Sequence, residues 1–206
     1  MRRLAWLALA LFVFAGTPPA MAEEGRTSPD EAVKFVAKLS GEALDLLRSK
    51  GLPLAEKEKR VRTMLADNFD LALIGRYVLG PSWRTASDEQ RDQYLSLFQE
   101  FVLRTYSRRL GGYTGQTFEI AGASALSEGD VLVTTRISRP SGPPIEAGWR
   151  VRGGPGGHKI LDVVVSGVSM VVTQRSEFRA VIRREGLDGL IEILRAQVSK
   201  FSAKAT

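Results

Sequence analysis

The chain has 206 residues, with 29 lysines and arginines against 23 aspartates and glutamates, and it contains no cysteine and a single histidine, His158. This composition excludes disulfides, a lipid anchor on a cleavage-site cysteine, a thiol nucleophile and a zinc site with several histidine or cysteine ligands. The length suffices for one domain of ordinary size.

The N-terminal segment has the three parts of an export signal. Arg2 and Arg3 make its start positively charged, residues 4–14 form an unbroken apolar run, and the sequence AMA at its end fits a small-x-small cleavage site. The apolar run is shorter than the roughly 20 residues that a transmembrane helix requires. We therefore predict a Sec signal peptide over residues 1–22, cleaved after Ala22.

The mature chain, residues 23–206, is predicted to be mildly basic. It would carry 27 basic and 23 acidic side chains, a net charge of +4, because Arg2 and Arg3 leave with the signal. For an exported protein this excess favours contact with anionic phospholipid headgroups over nucleic acid, and it is equally consistent with a charge that only maintains solubility. We predict transient contact with a membrane surface and no binding of nucleic acid.

The first half of the mature chain, residues 28–110, is predicted to be helical. The sequence SPDE from Ser28 is a capping box with proline at the first helical position, and it predicts a helix to about Lys50. The sequence GLP then separates this helix from a second, highly charged helix with a narrow apolar seam that includes Val61 and Met64.

Two further helices follow in the same half. A short helix is predicted over residues 71–79, ending at a Gly-Pro pair, and a second capping box, SDEQ from Ser87, begins the longest helix, which runs to about Leu110. Arg108 is predicted near the apolar face of this helix, either covering that face with its aliphatic stem or facing an anion.

The period of the apolar residues changes from helical to alternating after the glycine-rich segment 111–115. Strands are predicted around residues 118–120, 131–137, 145–151 and 159–165, and residues 168–173 are predicted to extend or follow the last of them. Glycine- and proline-rich turns between these segments favour a meander of antiparallel hairpins, so the sheet is predicted over residues 117–173.

The order of elements predicts an α+β fold. N-terminal helices pack on a curved antiparallel sheet, and C-terminal helices follow over residues 174–199. The interior of such a cone is either packed or hollow, and the mixture of small and large inward residues fits both, although a packed core is the commoner arrangement.

The search for catalytic residues is mostly negative. Ser169 lies in a sequence, GVSMV, that resembles a nucleophile elbow without its last glycine, so we interpret it as structural. His158 lies in a glycine-rich loop, where a solvated imidazole is expected. Asp162, in an otherwise apolar strand, is expected to hydrogen-bond the backbone or to pair with an arginine. We predict no catalytic residues, no metal and no cofactor, and therefore no enzyme.

Three segments together point to a family. They are FDLALIGRYVLGPSWRTASDEQRDQYLSLFQEFVLRTYSRRLGGYTGQ, HKILDVVVSGVSMVVTQRSEF and GLDGLIEIL. In this order, over nearly the whole mature chain, they resemble the MlaC family of periplasmic phospholipid-binding proteins, also called toluene-tolerance auxiliary proteins. No single motif is diagnostic, and the specificity comes from the ordered set.

The resemblance implies a soluble periplasmic carrier and reverses the preference for a packed core. It implies an NTF2-like cone with an apolar pocket for phospholipid acyl chains. It also implies lipid exchange with an inner-membrane transporter complex that contains MlaD and with the outer-membrane lipoprotein MlaA and its porin, which maintains outer-membrane lipid asymmetry. No cofactor is implied.

We predict that the residues on the apolar faces that must meet form the wall of this pocket. They are Phe69, Tyr77, Trp83, Phe98, Phe101, Tyr106, Val133, Trp149 and Val165. For the phosphate of the headgroup we nominate Arg108 first and Arg104 second.

Three alternatives remain open at this point. The related HpnM branch would carry a hopanoid, which is a rigid polycyclic lipid. An exported hydrolase would use Asp162 or Ser169. A third possibility is an adaptor that bridges membrane complexes without cargo, and it predicts a pocket too small for an acyl chain.

Overall fold

The structure, a computed structural model, describes residues 27–110 and 115–203. The predicted signal peptide and four residues of the family resemblance, 111–114, lie outside the described residues. Within the described ranges, every helix is too short or too polar to cross a bilayer.

The N-terminal helices begin where their capping sequences predict. Helix α1 spans Pro29–Arg48, and both hydrogen bonds of its capping box form: the Glu31 amide donates to Ser28 Oγ at 3.3 Å, and the Ser28 amide donates to Glu31 Oε2 at 3.1 Å. The hydrogen bond from the Ser28 amide lowers the pKa of Glu31. Helix α2 spans Leu54–Asn68.

Three helices complete the first half of the chain. Helix α3 spans Leu71–Leu79, with the Asp70 side chain capping its first turn, and helix α5 spans Asp88–Leu110 from the predicted second capping box. Between them lies a single helical turn, α4, Ser82–Thr85, which the sequence analysis did not predict. The predicted bounds of α3 and α5 are thus confirmed to within a residue.

The sheet is the predicted antiparallel meander. Its strands are β1 Thr117–Ala125, β2 Val131–Ser138, β3 Ile145–Arg152, β4 Lys159–Val165 and β5 Val168–Ser169, and each pairs with the next in the order β1-β2-β3-β4-β5. A one-turn 3-10 helix, Ser127–Gly129, connects β1 to β2. Irregular register in β1 and again between β3 and β4 curves the sheet.

The last element is a long helix, α6, which spans Met170–Ala203 and is interrupted at Gly186, where φ is +72°. The sheet therefore ends at Ser169, and the prediction that it extends to residue 173 is wrong, as is the start of the C-terminal helices at 174. The apolar residues 170–173 are helical because Ser169 and Asp162 cap their amides, as described below.

The described residues form two separate cores. The larger packs α3, α5 and α6 together and contains ten buried residues, with Tyr94 and Phe98 stacked at its centre. The smaller packs α1 on the sheet and contains only Ala32, Val36 and three valines of β2 and β3. The sheet and α1 are thus joined by a thin core, which leaves space between them farther along α1.

A buried carboxylate in the turn before β2 forms ion pairs with two arginines of β3. Asp130 is 1% exposed and accepts hydrogen bonds from Arg150 and Arg152, the latter at 3.0 Å from Nη2. Hydrogen bonding to Asp130 raises the pKa of Arg152. These two arginines are therefore committed to an internal ion pair.

Candidate functional site

The space between α1, α2 and the sheet is a cavity of about 320 Å³. Its lining is almost wholly aliphatic and aromatic. It consists of Val36, Leu39, Ser40, Ala43, Leu44 and Leu47 of α1; Val61, Met64 and Leu65 of α2; Phe69; and Gln116, Phe118, Ile137, Arg139, Ile145 and Trp149 of the sheet and its edges. An apolar chain is the ligand that such a wall accommodates, since no buried donor or acceptor has to be matched.

The cavity is closed at one end, where the start of α1 packs on β2 and β3, and open at the other. At the floor, Val36 is 1% exposed and packs on the β2 and β3 valines. At the other end, α1 reaches Leu47, close to the start of α2, where Lys57 Nζ donates to the Leu47 carbonyl at 3.1 Å. The mouth therefore lies beside the β2–β3 turn and the start of β1.

Trp149 presents an apolar face to the cavity because its one polar atom has a partner. Its indole N–H donates to Thr135 Oγ1 at 3.0 Å, and that hydroxyl donates to the Ala147 carbonyl at 2.9 Å. Thr135 is fully buried. This chain satisfies the polar groups of the floor internally, so the bound ligand need not supply hydrogen bonds there.

One cationic side chain lines the cavity, at its mouth. Arg139 lies in the exposed β2–β3 turn, and its Nε and Nη2 donate to the Pro143 carbonyl at 3.3 and 2.8 Å. Gly142, with φ of +88°, permits this fold of the turn, because a Cβ there would be strained and would lie 3.2 Å from Arg139 Nη2. The guanidinium is thus held at the mouth while its remaining N–H groups face solvent.

Two of the nine residues predicted to form the wall, Phe69 and Trp149, line this cavity. The other seven lie elsewhere. Phe98 is buried in the larger core, with Phe101 and Trp83 packed against that core, and Val133 is buried in the smaller one. Tyr77 is 49% exposed on the surface, and Tyr106 and Val165 are half-buried outside the cavity lining.

The two arginines nominated for a headgroup phosphate also lie away from the cavity. Arg104 pairs with Glu100 on its own helix, and the Arg108 guanidinium lies over the Phe201 ring, 5.6 Å from its centroid. Sequence reasoning missed Arg139 because it interpreted the segment around it only as a turn. The available signal was an arginine directly after a strand whose last inward residue, Ile137, is apolar.

The residues weighed for catalysis have structural partners. Asp162 accepts hydrogen bonds from the Val171 amide at 3.1 Å and from the Ser169 hydroxyl, and Ser169 Oγ accepts from the Val172 amide at 3.0 Å. This confirms that Asp162 hydrogen-bonds the backbone. His158 is half-buried against Phe35, with ring centroids 5.7 Å apart, so the expectation of a solvated imidazole is wrong.

Together, these features define an α+β protein with an apolar cavity between its helices and its sheet, of the kind that accommodates hydrophobic ligands. The family model described as MlaC protein matches residues 37–196, which is more than half of the chain. The chain belongs to the MlaC family.

Two relatives agree with this assignment. The intermembrane phospholipid transport system binding protein MlaC of Haemophilus influenzae is 27% identical over 144 residues, which cover 68% of this chain and 67% of that protein. A solved structure of the phospholipid-binding protein from Ralstonia solanacearum, in complex with a phospholipid, superposes with a TM-score of 0.68 at 25% identity and covers 85% of this chain and 99% of that one.

Proposed function

We propose that this protein is a periplasmic carrier that binds the acyl chains of a phospholipid in the cavity between α1, α2 and the sheet. The observation that carries the proposal is the almost wholly apolar lining with a single arginine at its mouth. Phospholipid transport and phospholipid binding in the two relatives support the choice of ligand.

A carrier of this kind lowers the barrier to lipid movement between membranes. Two acyl chains expose about 30 methylenes at roughly 0.8 kcal/mol each, so more than about 20 kcal/mol opposes their passage through water. An apolar cavity removes most of that cost. Since the chains are equally dry in a bilayer, the carrier needs an affinity close to that of the membrane and no source of chemical energy of its own.

The volume of the cavity bears on how much lipid it holds. A volume of about 320 Å³ lies at the lower end of the roughly 300–1,000 Å³ that ligand pockets span. We infer that it accommodates one acyl chain more readily than two. A second chain requires α1 and α2 to move away from the sheet.

Arg139 is the residue that we assign to the headgroup. With the chains inside, the phosphate of the lipid lies at the mouth, where the guanidinium is already oriented by Pro143. A guanidinium binds phosphate through parallel N–H···O bonds, which Lys in the same place would not supply. Gln116 lines the cavity at the same mouth.

Membership of the family supports the proposed partners and compartment. We infer exchange of lipid with an inner-membrane transporter complex containing MlaD and with the outer-membrane lipoprotein MlaA and its porin, which would maintain outer-membrane lipid asymmetry. Residues 1–22 are proposed to be the Sec signal that delivers the domain, residues 23–206, to the periplasm.

We infer that the protein is not an enzyme. Asp162 and Ser169, the residues on which a hydrolase would depend, both bind amides at the start of α6. Their hydrogen-bonding capacity is used by the fold, and neither lines the cavity.

Native mass spectrometry tests the proposal, with organic extraction and identification of what is released. Ala43 lines the cavity and Ala37 is exposed on the same helix, so Ala43→Phe fills the cavity and Ala37→Phe is the matched control. We expect phospholipid with wild type and Ala37→Phe, and at least about a tenfold loss with Ala43→Phe, because the new ring takes the space of several methylenes.

Each other outcome has a distinct meaning. Equal phospholipid in all three proteins would place the ligand outside this cavity. A polycyclic lipid in the extract would favour the hopanoid carrier. A ligand-free, folded wild type that also takes up no phospholipid from vesicles would contradict the carrier and favour the adaptor.

A further inference from the structure

A second depression, of about 380 Å³, lies on a surface that shares no lining residue with the cavity. It is lined by Arg76, Tyr77, Gly80, Pro81, Arg84 and Arg175, from α3, the turn after it, α4 and the first turns of α6. We call Arg76, Arg84 and Arg175 the arginine patch. Three cations around one depression form an unusual local charge, which the net charge of the chain does not reveal.

Two of the three guanidiniums are held by aromatic rings. The Arg76 guanidinium carbon lies 5.1 Å from the Trp83 ring centroid, and that of Arg175 lies 4.7 Å from the Tyr77 centroid. Arg175 also needs the glycine at position 80, because a Cβ there would lie 3.1 Å from its Nε. These cation–π contacts restrain the two guanidiniums without using their N–H groups as hydrogen-bond donors to a carboxylate.

In the part of the chain that the structure describes, no carboxylate forms an ion pair with the arginine patch. Among the described residues, Arg91, Arg104, Arg150 and Arg152 each form an ion pair with an aspartate or glutamate, whereas none of the three patch arginines does. Like charges this close repel one another, and an anion between them removes the repulsion. Phosphate fits best, since it accepts hydrogen bonds from several guanidiniums at once.

Apolar side chains flank the patch. Tyr77 is 49% exposed, and Val168 and Val172 are 53% and 51% exposed. Val172 and Arg175 lie three residues apart on α6, and Arg175 contacts Tyr77, so Val172, Tyr77 and the arginines share one surface. Val168 lies in β5, two residues before α6 begins. Arginine beside exposed tyrosine and aliphatic residues is the composition of surfaces that lie at the headgroup level of a bilayer.

We propose that the arginine patch is a membrane-docking site, at which Arg76, Arg84 and Arg175 bind phosphate groups of anionic phospholipids while Tyr77, Val168 and Val172 enter between the headgroups. The choice of a bilayer as occupant rests on the proposed carrier function, because a lipid carrier has to meet membranes. The apolar flank argues against a free anion, which would gain nothing from it. Docking through this site would give the protein one orientation on the membrane, with its α3–α6 side facing the bilayer.

Co-sedimentation with lipid vesicles tests the site. The triple variant Arg76→Gln, Arg84→Gln, Arg175→Gln removes three positive charges, and the matched control Lys34→Gln, Lys59→Gln, Lys200→Gln removes three exposed ones elsewhere. Wild type and control should bind vesicles containing phosphatidylglycerol and release them at high salt. The patch variant should bind on the order of a hundredfold more weakly, from the usual contribution of each basic residue near an anionic surface.

Further arms separate the outcomes. Arg84→Glu, which changes one exposed residue, keeps the test valid if the triple variant does not fold. Val168→Ser with Val172→Ser should weaken vesicle binding without altering charge. Equal binding of vesicles by the patch variant and the control would overturn the proposal. Stabilisation of the wild type against unfolding by inorganic phosphate, without any binding to vesicles, would also overturn it, because it would indicate a site for a free anion.

The failure of this proposal is distinguishable from failure of the carrier function. Lipid extracted from the patch variant should equal that from wild type, because the patch and the cavity share no lining residue. If the patch variant lost extracted lipid at unchanged stability, the patch would contribute to holding the lipid. That result would overturn a separate docking role. Wild type that binds anionic vesicles yet holds no lipid would contradict the carrier and leave the docking site standing.

Discussion

At the scale of single residues, the position of Arg139 makes it the most informative substitution for ligand recognition. Arg139→Glu reverses the charge at the mouth of the cavity, and the exposed turn tolerates it. We expect about a two- to fivefold fall in retained phosphatidylglycerol relative to phosphatidylethanolamine, the usual size of a contact with an exposed charge. Lipid extraction and quantification measure the ratio.

Arg108→Glu is the natural control, because sequence reasoning nominated Arg108 and the structure places its guanidinium over Phe201. A fall in the ratio with Arg108→Glu and none with Arg139→Glu would restore the original nomination. The difference between the two arginines was beyond sequence reasoning. Helical periodicity placed Arg108 near an apolar face correctly, but which apolar face borders a cavity depends on how distant elements pack.

At the scale of elements, the first turn of α6 depends on a residue from a neighbouring strand. Asp162 on β4 and Ser169 at the end of β5 accept hydrogen bonds from the Val171 and Val172 amides, and the carboxylate lies at the positive end of the helix dipole. Asp162→Asn and Ser169→Ala should each cost about 1 kcal/mol of unfolding free energy. Urea unfolding measures this cost, and native mass spectrometry should show unchanged lipid.

Ser176→Ala, at an exposed position of the same helix, serves as the control and should leave stability nearly unchanged. The contrary result would be normal stability of Ser169→Ala together with a difference between the two extracts. The extract of the variant would contain intact lipid, and the extract of the wild type would contain hydrolysis products. That pattern would establish the hydrolase. It would also show that the capping bonds are of little energetic importance.

The elements themselves differ in how far the sequence predicts them. Helices α1 and α5 begin at capping boxes, whose hydrogen bonds join residues three apart, so their starts were predicted from local sequence. The boundary between β5 and α6 was not, because the Asp162 carboxylate that caps it comes from another strand. An apolar run such as residues 170–173 fits either a strand or a helix until that partner is known.

At the scale of the whole molecule, the two cores explain why seven of the nine residues predicted for the cavity wall lie outside its lining. Periodicity identified the apolar face of α5 correctly, and we assigned it to the cavity. In the structure α6 covers that face, and Phe178 contacts Tyr94, Phe98 and Phe101 there. Helices α1 and α2 border the cavity instead. Amphipathic pattern predicts that a face is buried, not what buries it.

The division of the molecule into two cores predicts which part of it moves when lipid enters. Helix α2 has one buried residue, Val61, and α1 has three, whereas ten buried residues hold α3, α5 and α6 together. Since local stability follows buried apolar contact, α1 and α2 should open more readily than the larger core.

Removal of lipid should therefore speed hydrogen exchange of the backbone amides in α2 and the second half of α1 by at least about tenfold, while the exchange of amides in α5 and α6 changes little. Hydrogen–deuterium exchange with mass spectrometry, on delipidated and reloaded protein, measures this, and Ala43→Phe supplies a filled-cavity reference. Faster exchange confined to α5 and α6, or none anywhere, would mean that lipid enters without displacing α1 and α2. A second chain in this cavity, which requires that displacement, would then be excluded.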